Sequence, residues 1–180
     1  MRIADILYFA PGVRFDQVDL NGPALPNQYR DRMSGFYVEP AEQCASHGHA
    51  FAAGVLLVSC IDALARMRFS SPKVGDRIKR FTREELQSFS GSGLATRFYE
   101  DFRNGLVHEA RIKNGGQFSL DIGSTVQRAG SILLINPARL GTEVRSAIDG
   151  YAELLERDRT ARQRLERALA RDHARDFAAA

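Results

Sequence analysis

From Ala52 to Met67 the chain is apolar on nearly every face that a helix would present. A helix with no polar side cannot lie on a surface, so this one belongs at the centre of a bundle, touched from several directions. Pro40 suits the first turn of the helical region leading into it, and only Gly48 and Gly54 interrupt the run before Ser70-Ser71-Pro72 stops it. The chain is therefore read as mainly α.

Other elements follow from periodicity and punctuation. Residues 3 to 20 alternate weakly and suit either a short helix or one or two strands; Asn21-Gly22-Pro23 and Leu25-Pro26-Asn27 then mark turns. Tyr29, Met33, Phe36 and Tyr37 recur at helical spacing, giving a short helix that Glu39-Pro40 should end. Thr82-Arg83-Glu84-Glu85 fits a capping box that would open a helix running to about Ser90. Gly91-Ser92-Gly93 precedes another, in which Leu94, Phe98, Phe102 and Leu106 form one apolar face.

After His108 the period shortens to two. Ala110 and Ile112 flank Asn114-Gly115 together with Phe118, Leu120 and Ile122, which predicts a hairpin turn at that dipeptide, and Ser131 to Ile135 adds a third strand-like run. Asn136-Pro137 then caps a long carboxyl-terminal helix carrying Val144, Ile148, Tyr151, Leu154 and Leu155 on one side. Beyond Leu155 that helix becomes rich in arginine, either as a solvated face laced with ion pairs or as a strip for RNA phosphates. The expected organisation is an arm with a short helix over 1–39, then a helical bundle over 40–180 with a β insertion at about 109–136.

With 44% apolar and 26% charged residues, the composition is that of an ordinary globular protein, and the net charge of +3 permits a polyanionic partner without demanding one. Cys44 and Cys60 lack metal-ligand spacing and read as buried free thiols in a reducing compartment. Asp5, Pro11 and Arg14 break up any secretory signal, and no apolar stretch approaches the length of a membrane span, since Ser59 and Asp62 intrude between Phe51 and Leu64. The expectation is a cytoplasmic protein without a membrane partner.

Arg103-Asn104-Gly105-Leu106-Val107-His108-Glu109 is the one local set of residues able to do chemistry together. Asn104 and His108 are neighbours on a helix surface, whereas Arg103 lies roughly 140° around an ideal helix from His108 and needs its long arm, or a loosened turn at Gly105, to meet it. The bland alternative is a surface histidine near a helix end, with Arg103 paired to Glu100 or Glu109.

Arg103-Asn104 followed by His108 resembles the Arg-polar-x3-His signature of HEPN domains, small helical bundles that include many metal-independent ribonucleases of toxin-antitoxin, abortive-infection and CRISPR-associated systems. The likeness covers about Pro40 to Ala180, with its specific part at residues 103 to 109; a looser version recurs at Arg167 to His173 without the polar residue. It implies a HEPN-like bundle decorated by a small antiparallel sheet, and an endoribonuclease that leaves 2′,3′-cyclic phosphate and 5′-hydroxyl ends. It also implies a homodimer with the active site at the interface, RNA as substrate, no cofactor, and an antitoxin or effector as a further partner.

In that scheme His108 moves protons, Arg103 holds the scissile phosphate and Asn104 orients one of these groups. Asp62, a carboxylate in an apolar helix, must find an arginine, a histidine or a helix amide, and would orient the site if its partner were Arg103 or His108. Glu109 would tune His108. Arg111, Lys113 and Tyr99 are the candidate RNA contacts. His47-Gly48-His49 carries little weight as a metal site. The departure is Ala110, which stands where one HEPN subset has a modifiable tyrosine two positions after the histidine. The alternative function is a non-catalytic HEPN-like module for nucleotide or RNA binding, or for dimerisation, that works through a partner.

Overall fold

The computed structural model describes residues 2–3 and 6–178; Asp5 and the end of the Ala178-Ala179-Ala180 tract fall outside them. The chain is mainly helical, as expected, and divides into two compact units, Met1–Phe36 with Ile148–Ala180, and Tyr37–Ala147. The cut at 36/37 lies close to the expected boundary near residue 39, and a further cut at 147/148 groups the final helices with the amino-terminal residues.

In the first unit the ambiguous start is strand, not helix: β1 (Arg2–Ile3), β2 (Ile6–Ala10) and β3 (Val13–Arg14) form an antiparallel sheet in that order. Phe9 and Phe15 are buried edge to face at 5.5 Å. Phe15 also meets the rings of His173 and Phe177, at 5.4 and 5.0 Å. These contacts tie the arm to α8 (Arg159–Asp172) and α9 (Ala174–Ala178). In the arginine-rich stretch Arg162 bridges Glu166 at 2.8 Å, as the ion-pair alternative expects, and donates to the Gly22 carbonyl, and His173 pairs with Asp176 at 2.9 Å. Both side chains have structural partners. Asp158 starts α8 by accepting from the amides of Thr160 and Ala161, so the long helix breaks there.

Helix α1 (Leu25–Met33) is not stopped by Pro40. A wide π turn over Ser34–Val38 follows it, and α2 (Glu39–Ser46) comes next in sequence, with Pro40 in its first turn, where no amide hydrogen is needed. The helical path ends at Gly48 instead. Its φ of +81° allows a Schellman closure, in which the His49 amide reaches the Cys44 carbonyl at 2.8 Å and the Gly48 amide reaches Ala45 at 3.0 Å.

The second unit is built on α3 (Ala50–Arg68), where Leu57, Cys60, Ile61, Leu64 and Ala65 are all at most 1% exposed. By length and composition α3 is in fact apolar enough to cross a membrane, contrary to the sequence reading, yet half of its most apolar window is buried inside the protein. Gly54 has a packing role: a Cβ there would lie 2.3 Å from the Phe118 ring, which rests directly on the helix.

The expected capping box does not exist. Thr82 lies late in α4 (Val74–Glu85), fully buried, and its hydroxyl finds no hydrogen-bond partner among the described residues, so core packing has overridden the local signal. The β insertion is present but rearranged. Strand β4 (Gln117–Phe118) runs parallel to β6 (Ile132–Ile135), and the antiparallel hairpin is formed by β5 (Val126–Ala129) with β6. Its turn is Gly130-Ser131, with Gly130 at φ +61°, the glycine-first pattern of a tight hairpin.

Asn136 locks this sheet to α7 (Pro137–Arg157). Its side-chain oxygen caps the amides of Ala138 and Arg139, while its amide nitrogen donates to the carbonyls of Leu120 and Ile122.

Candidate functional site

The motif stands at the end of a helix that changes pitch twice. Gly93, at φ +76°, opens α5 (Leu94–Arg97); a π turn follows over Phe98–Arg103, then α6 (Asn104–Glu109). Phe98 and Phe102 are fully buried, as the four-residue spacing predicted. The loosened turn is therefore upstream of Gly105, and Arg103 is its last residue; wide turns of this kind often mark functional positions.

Gly105 serves a different end. A Cβ there would lie 2.3 Å from the Arg111 carbonyl oxygen, because the chain folds back over α6 and the Arg111 amide bonds the Gly105 carbonyl at 3.3 Å. Gly105→Ala is expected to destabilise the protein by about 2 kcal/mol in urea titration: the backbone clash outweighs the gain in helix propensity, roughly 1 kcal/mol.

Ala110 closes α6 in the left-handed region at φ 54°, where glycine is the ordinary choice. Ala110→Gly should relieve this and leave the fold as stable or up to about 1 kcal/mol more so, read from the same titration.

Arg103 pairs with neither Glu100 nor Glu109. Its Nε and Nη2 both donate to one oxygen of Asp62, at 3.0 and 2.7 Å, and Nη1 reaches the Asn104 side-chain oxygen at 3.4 Å. The buried-helix carboxylate thus finds its counter-charge 41 residues away, and two of the expected orienting groups fix one guanidinium. The Arg103 side chain is only 13% exposed. His108 lies in the exposed last turn of α6, beside Val107, which is 57% exposed. It makes no hydrogen bond to Arg103.

A groove of about 300 Å³ lies along α3, lined by Val58, Ser59, Asp62, Ala63 and Arg66 with Val107 of α6; it touches the Arg103 ion pair through Asp62. Arg66 escaped the sequence reading, although it stands four residues after Asp62 and so on the same helix face.

The remaining candidates are placed as follows. Glu109 faces Arg111 at 2.7 Å and Lys113 rather than His108; the Lys113 hydrogen bond, then the charges of both cations, holds its carboxyl below the usual range. Tyr99 packs against Gly75 beneath the Lys79 ammonium, 5.2 Å from the ring centre, and Glu100 pairs with Lys79 at 3.8 Å. That contact takes up one face of the tyrosine expected to contact RNA.

Asn114-Gly115 does form a turn, with φ of 50° and 72° and the Gly116 amide on the Lys113 carbonyl at 2.9 Å, but no strand precedes it, and β4, which follows, pairs with β6. Instead it docks on Asp101. That carboxylate, 2% exposed, accepts from Asn114 at 2.6 Å and Arg97 at 3.0 Å, while its carbonyl takes the Lys113 amide. Sequence reasoning missed Asp101; the Arg97-x3-Asp101 spacing was the available signal.

His47 caps α2 through its Nδ1, 2.8 Å from the Gln43 carbonyl. Among the described residues no cluster of three or more His, Cys, Asp or Glu side chains could hold a metal. Burial pushes the Cys60 thiol far up, so it is not a nucleophile at neutral pH. No family model, curated protein or solved structure matches this chain.

Proposed function

We propose that the chain is a metal-independent endoribonuclease of HEPN type, acting in the cytoplasm as a homodimer within a toxin-antitoxin or phage-defence system. The observation that carries this reading is the Asp62-Arg103-Asn104 assembly at the edge of an open groove, with His108 exposed five positions on. After the bonds to Asp62 and Asn104, two of the five guanidinium N–H groups stay available for a phosphate. Asp62 holds the guanidinium in place before substrate arrives, so little side-chain freedom is lost on binding.

Cleavage requires that the 2′-oxygen attack phosphorus while its proton leaves, and that the departing 5′-oxygen receive a proton as its bond to phosphorus breaks. One imidazole cannot be base and acid in the same step. A second copy supplies the other, and the rim of the groove suits it: Val107 is 57% exposed there, and Val55 and Leu56 on α3 are half-buried. One His108 then takes the 2′ proton, and its counterpart gives one to the 5′-oxygen. The products are a 2′,3′-cyclic phosphate and a 5′-hydroxyl.

The second reading is a binding or dimerisation module that acts through an effector or antitoxin. The near-complete burial of Arg103 favours it, since a guanidinium already neutralised by Asp62 attracts phosphate less strongly. Incubating the pure protein with labelled RNA in the presence of a chelator separates the two: the nuclease cuts and leaves cyclic phosphate ends, whereas the module binds without cutting.

A further inference from the structure

We propose that a second pocket beside the motif receives one unpaired nucleobase of single-stranded RNA, stacked on Phe51; the inference rests on RNA being the ligand but not on its being cut. The pocket holds about 400 Å³, at the small end for ligand sites, and Ile112, Gly116, Gln117 and Phe118 are among its lining. Phe51 and Arg111 line it as well.

Phe51 is in the first turn of α3 and 52% exposed, so a large ring is held in water next to a cavity. It is not loose. Phe118 meets it at 6.4 Å and an interplanar angle of 71°, and Phe118 in turn is fixed by Phe102 at 5.2 Å and by the bare backbone at Gly54. A propped, half-open aromatic ring is the platform that base stacking needs.

Polar groups complete the fit. Strand β4 is the edge of its sheet, and the Ser119 amide bonds the Ile135 carbonyl at 3.0 Å, so by strand alternation the peptide groups of Phe118 turn to the other edge. They offer a donor and an acceptor to the rim of a base. An edge of two residues is too short to pair with an added peptide strand, which favours a base over a peptide as occupant.

Arg111 has 65% of its side chain exposed, and with Lys113 it outnumbers the single carboxylate of Glu109. The excess positive charge suits the phosphate attached to the stacked nucleotide. Since Ala110 and Arg111 directly follow the motif, that nucleotide would neighbour the scissile bond.

The test uses the full chain and a short single-stranded oligoribonucleotide, 2′-O-methylated so that it cannot be cut, in a fluorescence anisotropy titration. Phe51→Ala should weaken binding about tenfold and Phe51→Trp should retain it, while an abasic version of the oligomer should bind the wild type no better than the intact oligomer binds Phe51→Ala. Equal affinities for wild type and Phe51→Ala, or for abasic and intact oligomers, overturn the site. So does a wild type that binds no oligomer, or a Phe51→Ala protein whose only change is a loss of self-association in light scattering. A loss on Phe51→Ala with cleavable RNA left uncut would keep this pocket and refute the nuclease.

Discussion

Alanine in place of His108 is expected to slow RNA cleavage by about 100-fold or more, the usual worth of a positioned general acid or base. The same substitution should change stability by less than about 0.5 kcal/mol, because the side chain lies on the exposed last turn of α6 and bonds to no neighbour that would be stranded. That pairing of a large kinetic effect with a silent melting curve separates chemistry from folding. Arg103→Ala does not offer it, since Asp62 would lose its counter-charge as well. Mixing His108→Ala with wild type tests the shared site: a heterodimer holding one imidazole should cut no faster than the mutant itself. A His108→Ala protein that cuts at the wild-type rate removes the histidine from the mechanism, and with it the two-copy scheme.

What the sequence made legible was whatever a single stretch of chain decides. The apolar content of 52–67 required a central helix, Asn136-Pro137 announced the start of α7, and Phe98 and Phe102 fell on the core side as their spacing required. The misreadings of Thr82 and Asn114-Gly115 have a distant partner as their cause. Thr82 looked like a cap, but its place in the core is set by the elements that close over α4. Asn114-Gly115 adopts the backbone that its residues prefer, yet Asp101, thirteen positions back, decides what the turn packs against. Gly130-Ser131 was the truer hairpin signal, and glycine-first chemistry could have identified it. Asp62 was recognisable as a charge in need of a partner; that Arg103 answers it depended on the fold.

The Asp101 carboxylate should prove the most costly single side chain to remove near the motif. Two donors converge on it from opposite directions along the chain, Arg97 one helical turn earlier and Asn114 from the turn beyond α6, and it is 2% exposed. Asp101→Ala strands both, and by analogy with other broken buried pairs should cost about 3 kcal/mol, somewhat reduced because Arg97 keeps some access to water. The isosteric Asp101→Asn should recover little. Both of its neighbours are donors, so whichever way the amide turns, its own NH₂ faces another N–H. Urea titration of both variants would show it, and an Asp101→Asn protein as stable as wild type would mean that the carboxylate's charge is irrelevant to this node. The consequence reaches the site because the segment from Ala110 to Gly116 has two anchors on the motif helix, Gly105 beneath Arg111 and Asp101 beneath Lys113 and Asn114. With one anchor gone, Arg111 loses its fixed position beside Phe51 while His108, carried by α6, keeps its own. Oligonucleotide affinity should then fall in Asp101→Asn at temperatures where the protein is still folded.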